Sequence, residues 1–157
     1  DNSFNNLQQL MLIALQDRNT DDFIVVVNAL LASIPYDDFS KAGQINVKYN
    51  HLDMKVQEWL YRSTILAFMR GCNVAAVAEM HTNLGRADFV VSHRGNTYVI
   101  ELKVAYQPKD IPAKLAEAVE QMKTKNYLAP YPAATGLAIV IDDTKRQITD
   151  DSYTVII

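Results

Sequence analysis

Apolar residues recur at helical spacing from Leu7 to Leu15, and again at Phe23, Val26, Val27, Leu30, Leu31 and Ile34, so the first forty residues predict a helical hairpin. Thr20 suits the N-cap of the second helix, Asp21 and Asp22 complement its macrodipole, and Pro35 ends it. A long helix follows, opened by Asn50 and Asp53, with Leu52, Val56, Trp59, Leu60, Ser63 and Ala67 on its inner face and Gly71 at its close. Glu58 lies off that face, on a flank shared with Ile65 and Met69. Beyond Gly71 the pattern turns to β, with strands expected over Asn73 to Met80, Ala87 to Ser92 and Thr97 to Val104. Leu84-Gly85-Arg86 and His93 to Asn96 supply the turns between them. Tyr106 to Pro112 reads as a loop, and Leu115, Ala118, Val119 and Met122 as the buried stripe of a helix reaching about Tyr127. Gly136 to Ile141 and Tyr153 to Ile157 are two further strands, so the chain predicts a mixed sheet with helices on its faces.

The chain has 157 residues, 49% of them hydrophobic, enough to bury the core of one ordinary domain. It begins at Asp1 and carries nothing nearby that reads as a signal peptide, so it is expected to be excised from something longer or processed. Apolar runs such as Ala138 to Ile141 are too short to span a bilayer, so no membrane partner is expected. The single cysteine, Cys72, excludes an internal disulfide framework and a thiolate-rich zinc site, and suits a reducing cytoplasm. Its small and apolar neighbours make it a packing residue. A net charge of −3 argues against a strongly basic nucleic-acid coat, although acids gathered at a cation site would themselves lower the balance.

The chemistry lies in the three strands, where Glu79, Asp88 and Glu101 occupy positions expected to be apolar and Lys103 follows Glu101 by two. Strand alternation points Glu101 and Lys103 to one face and Ile100, Leu102 and Val104 to the other. Desolvating such ions costs several kcal/mol each unless partners or a metal compensate. Asp88 and Glu101 on neighbouring strands can offer two hard oxygen ligands to Mg2+ or Mn2+, leaving positions for water and phosphate, and Glu79 can add a third directly or through water. Lys103 then orients or helps deprotonate a water, or neutralises charge on phosphorus. Alone, the E-x-K reads as a surface ion pair. Gly85-Arg86-Ala87-Asp88 upstream and Gln121 in the following helix change that reading.

The runs G-R-A-D (85 to 88), E-L-K (101 to 103) and A-E-A-V-E-Q-M-K-T-K-N-Y (116 to 127) resemble the PD-(D/E)XK nuclease superfamily. They are most similar to the nuclease-like domain at the C-terminus of bacterial AAA-ATPase-like proteins, a likeness that I-P-Y (34 to 36), E-W-L-Y (58 to 61) and E-M-H-T-N-L (79 to 84) extend upstream. The resemblance implies an α/β restriction-endonuclease-like three-layer core of helix, three-stranded meander, helix and strand over 46–157, with 1–45 as an N-terminal helical extension. It makes Asp88, Glu101 and Glu79 the metal-site acids, Lys103 the catalytic lysine, Glu58 the acid of the first core helix, and Gln121 a support for metal or substrate. RecB-like nucleases carry a tyrosine four residues after that glutamine, where this chain has Lys125, so Tyr127 belongs to the narrower pattern. The implied activity is metal-dependent hydrolysis of DNA, leaving a 5′-phosphate and a 3′-hydroxyl, with an ATPase-like domain as partner. The alternative is a non-catalytic module of the same fold that binds nucleic acid or regulates that ATPase.

Other candidates carry less. His81 reads as a polar residue leaving a strand, or as an added ligand. Arg86 can pair with a phosphate or with Glu79. Lys123, Lys125, Lys145 and Arg146 can follow a nucleic-acid backbone or simply be solvated, and Trp59, Tyr127 and Tyr131 are core aromatics or base-stacking platforms.

Overall fold

The computed structural model describes residues 2–35, 56–82 and 85–156. Helix α1 spans Asn2–Gln16 and α2 Thr20–Ala32, as the hairpin pattern predicts. The cap of α2 is Asn19 rather than Thr20: its side-chain oxygen accepts from the Asp22 N–H at 3.1 Å, and Thr20 is already helical. Helix α3, Val56–Gly71, buries Tyr61, Ile65, Phe68 and Met69. Its inner face is therefore rotated from the predicted one, and Trp59 stands 54% exposed. Asn50, Leu52 and Asp53, expected at its start, lie outside the described residues. The helix closes on Asn73, not Gly71: Asn73 takes a left-handed φ of 61°, its N–H bonds Arg70 O, and Val74 N–H reaches back to Met69 O.

Five strands form one sheet in sequence order: β1 Ala75–Thr82, β2 Gly85–His93, β3 Asn96–Ala105, β4 Thr135–Asp142 and β5 Tyr153–Ile156. All contacts are antiparallel except β3 with β4, which helix α4, Ile111–Thr124, connects in parallel. Gly85 and Arg86, expected in a turn, pair with Thr82 and His81 as the first rungs of β2. The β2–β3 turn is the predicted one, with Arg94 and Gly95 at φ 48° and 80°, both positive as a type I′ hairpin requires. Where β4 meets β5, a Cβ on Gly136 would come within 2.9 Å of the Ile156 carbonyl, so only glycine fits there.

The sheet divides two layers. Phe89, Val91, Tyr98, Ile100, Leu102, Val104, Leu137, Ile139 and Ile141 face α1, α2 and α3, contributing a continuous core with Met11, Leu15, Phe23, Val27 and Leu31. Each such aliphatic removed from water contributes about 1.5–3 kcal/mol. On the opposite face Val90, Val99, Ala138 and Ile156 pack with Ala118, Met122 and Tyr127 beneath α4, whose partly buried Leu115 and Val119 complete the predicted stripe. The helix ends at Thr124, short of Tyr127.

Candidate active site

Strand β3 gives the sheet its polar centre. Its even-numbered residues enter the α1–α3 layer, which leaves Glu101 and Lys103 beside Ala138 and Val140 on the α4 side. The ladder between β2 and β3 runs from His93–Asn96 to Phe89–Ile100. One residue further on, Asp88 Oδ2 accepts the Leu102 N–H at 2.8 Å, a side chain taking the place of a backbone rung. β2 meanwhile remains paired with β1 out to Gly85–Thr82.

Asp88 and Glu101 face each other at this point. Glu101 is 3% exposed, and its Oε2 is buried with no hydrogen-bond partner. Burial, and then the charge of Asp88, pushes the Glu101 carboxyl up to about 8. Burial also raises Asp88, opposed by the Arg62 guanidinium, the Leu102 N–H, Lys103 and a hydrogen bond with Glu101. Arg62 Nε, from α3, lies 3.2 Å from Asp88 Oδ1.

The Lys103 ammonium is held from three directions, 3.6 Å from Glu101 Oε1, 3.5 Å from Glu117 Oε1 and 2.7 Å from Gln121 Oε1. Gln121 fixes its amide by donating Nε2–H to the Tyr127 hydroxyl at 3.0 Å. The fold explains how a tyrosine six residues on can do this. Asn126 adopts φ 52°, its N–H bonds Lys123 O, and Tyr127 N–H returns to Met122 O. This Schellman closure folds Tyr127 back along α4, so the position of Lys125 is not needed.

Of the six residues expected at the site, Asp88, Glu101, Lys103 and Gln121 form one contiguous cluster. Glu58 sits one turn before Arg62 on α3, near Tyr106, whose buried hydroxyl its charge helps to raise. Its neighbours Gln57 and Tyr61 both donate to Asp143 Oδ1, Tyr61 at 2.6 Å, which fixes the start of α3 against the end of β4. Glu79 occupies β1 between Ala78, paired with Phe89, and Met80, paired with Ala87; its side chain and those of His81 and Arg86 lie outside the described part. Sequence reasoning missed Arg62 and Glu117. Arg62 stands four residues after Glu58, and Glu117 four before Gln121, so helical periodicity from two chosen residues would have found both.

Two hard carboxylates, one with an unsatisfied buried oxygen and an elevated pKa, suit a divalent cation such as magnesium, which keeps several waters and takes only one or two protein carboxylates. Among the described residues no group of three or more His, Cys, Asp and Glu is gathered around one point.

A restriction-endonuclease-like α/β sandwich with acids and a lysine where its central strands part is the class that fold and cluster define. The profile of the PD-(D/E)XK nuclease superfamily matches residues 56–150, more than half of the chain, and the protein belongs to that superfamily. No curated protein matches it significantly. Among the described residues no helix is long and apolar enough to cross a membrane.

Proposed function

We propose that the chain is a divalent-metal-dependent nuclease that hydrolyses DNA phosphodiester bonds, with Asp88 and Glu101 holding Mg2+ or Mn2+ and Lys103 at the attacking water. The observation that carries this reading is the buried Glu101 carboxyl beside Asp88, its Oε2 met by no donor and its Oε1 3.6 Å from the Lys103 ammonium. A purely structural ion pair would satisfy both acids. When bound, the cation supplies Lewis acidity at the phosphate and lowers the pKa of water. Lys103, steadied by Gln121, donates hydrogen bonds that orient the water or offset charge on the phosphoryl oxygens. The water oxygen bonds to phosphorus as the P–O3′ bond breaks. The water gives up a proton and O3′ takes one, leaving a 5′-phosphate and a 3′-hydroxyl. Glu79 is the further acid that the family pattern adds, and the likeness to C-terminal domains of AAA-ATPase-like proteins makes an attached ATPase-like domain the inferred partner.

The purified chain is expected to cleave single-stranded or plasmid DNA with Mg2+ or Mn2+, and Lys103→Ala and Asp88→Asn to lower the rate by about 100-fold or more, the scale of losing one electrostatic catalytic group. Asp88→Asn retains an oxygen for the Leu102 N–H, so the loss would not reflect unfolding. Cleavage that survives both substitutions, or none with either metal, would replace this reading with the non-catalytic module.

A further inference from the structure

The neighbours of the Lys103 ammonium hold it with unequal strength. An ammonium has three N–H donors, and among the described residues three oxygens stand around this one: Gln121 Oε1 at 2.7 Å, Glu117 Oε1 at 3.5 Å and Glu101 Oε1 at 3.6 Å. A phosphoryl oxygen reaches the amine by taking the place of one of them. Gln121 makes the contact of hydrogen-bond length and is itself anchored to the Tyr127 hydroxyl at 3.0 Å. Glu101 is buried on the same strand and has no solvent to move into. Glu117 differs from both. It sits on α4 with 53% of its side chain exposed, and its ion pair is longer than a hydrogen bond, so a change of rotamer releases it to water.

Glu117 stands where an oxyanion fits. Its two oxygens are divided between two cations: Oε1 lies 3.5 Å from Lys103 Nζ, and Oε2 lies 3.6 Å from the Nζ of Lys114, one turn earlier on α4. A carboxylate spanning two ammoniums has the outline of the two non-bridging oxygens of a phosphodiester, which carry the same single charge. Lys114 is 40% exposed, and its flexible stem can follow the incoming group. Two charge-assisted contacts to one phosphate then replace the two ion pairs of Glu117.

We propose that Glu117 holds the place of a DNA phosphate between Lys103 and Lys114, and that Lys114 is a phosphate-binding residue of the site. This rests on the nuclease reading for the identity of the ligand, but not on turnover. A glutamate that only orients Lys103 predicts the opposite behaviour, since its removal would loosen the lysine and weaken DNA binding.

Binding of a fluorescent single-stranded oligonucleotide in Ca2+, followed over a range of salt concentrations, separates the two on wild type, Glu117→Gln, Lys114→Gln and Glu120→Gln. Glu120 is the control: it is exposed on the same helix and accepts from the Thr124 hydroxyl at 2.9 Å. Glu117→Gln is expected to bind about three- to tenfold more tightly at low salt, because the competing carboxylate is gone, and Glu120→Gln to change affinity less than about twofold. Lys114→Gln should bind about three- to tenfold more weakly and reduce the slope of log affinity against log salt by about 0.7, the value of one phosphate contact on a single strand. Affinity that is unchanged or weaker in Glu117→Gln, or raised equally in Glu120→Gln, overturns the placeholder. A Lys114→Gln slope equal to that of wild type overturns the phosphate contact, and a wild type that binds no oligonucleotide overturns both. Wild-type protein that cuts no DNA with Mg2+ or Mn2+ yet shows the expected affinities would remove the nuclease reading and leave the phosphate site standing.

Discussion

At Glu101 a proton and the proposed metal ion would compete for one buried carboxylate. Its carboxyl, pushed up to about 8 by burial and by Asp88, binds a proton more tightly in the folded chain than in the unfolded one, where it titrates near the ordinary 4.5. The stability this adds is complete below about pH 4.5 and is lost as pH rises towards 8. Asp88 on β2, also raised, acts in the same direction, while Arg62 from α3 and Lys103 on β3 moderate both, with Glu117 of α4 opposing Lys103. Chemical denaturation in EDTA should show the metal-free protein losing about 2–4 kcal/mol between pH 5 and 8 relative to Glu101→Gln. Millimolar Mg2+ should recover much of that at pH 8 by replacing the proton. A profile identical in wild type and Glu101→Gln would place the titrating acid elsewhere. Cys72 illustrates the inert counterpart: burial raises its thiol to about 11, in keeping with a packing residue.

At the scale of elements, the closure of α4 carries Tyr127 to Gln121, so the site depends on one left-handed residue, Asn126. Asn126→Ala should cost about 1 kcal/mol or more, read as a lower thermal midpoint, whereas Asn126→Gly should be neutral or slightly stabilising. Tyr127→Phe, which keeps the buried ring but removes the acceptor for Gln121, should lower activity with little change in that midpoint. The sequence made most elements legible because apolar period and turn chemistry agree in β2, β3 and α4. It misdirected the reading of α3, where Trp59 fits a helical stripe but the start of the helix must also present Gln57 and Tyr61 to Asp143 and Arg62 to Asp88. Two apolar stripes at helical spacing compete in this helix, and the one buried is Tyr61, Ile65, Phe68 and Met69, the larger side chains; the polar partners agree with that rotation, and local periodicity does not contain them. The four clustered site residues were legible for the converse reason: charges placed at apolar strand positions, in a resembling order, announce themselves without knowledge of the third dimension.

Over the whole molecule, α1 and α2 are part of the packing around the sheet. Met11, Leu15, Phe23 and Leu31 share the core with Phe89, Ile100 and Leu137, Phe23 stacks on Tyr98 with ring centroids 6.3 Å apart, and Asn28 exchanges two hydrogen bonds with Ile148 at 2.8 and 2.7 Å. A chain lacking residues 1–35 would leave that face of the sheet open to water. It should lose cooperative unfolding and aggregate, as judged by calorimetry and size exclusion, whereas the full chain unfolds in one transition.

The Leu102 N–H donates to Asp88, so the carboxylate proposed as a metal ligand is also a fastener between two strands. Losing the acid at position 88 would loosen the seam between β2 and β3 whatever became of the chemistry, and losing the Lys103 amine would leave Glu101 without its nearest cation. Relatives without activity should therefore keep the acid for its structural bond, so an aspartate at this position does not by itself mark a nuclease.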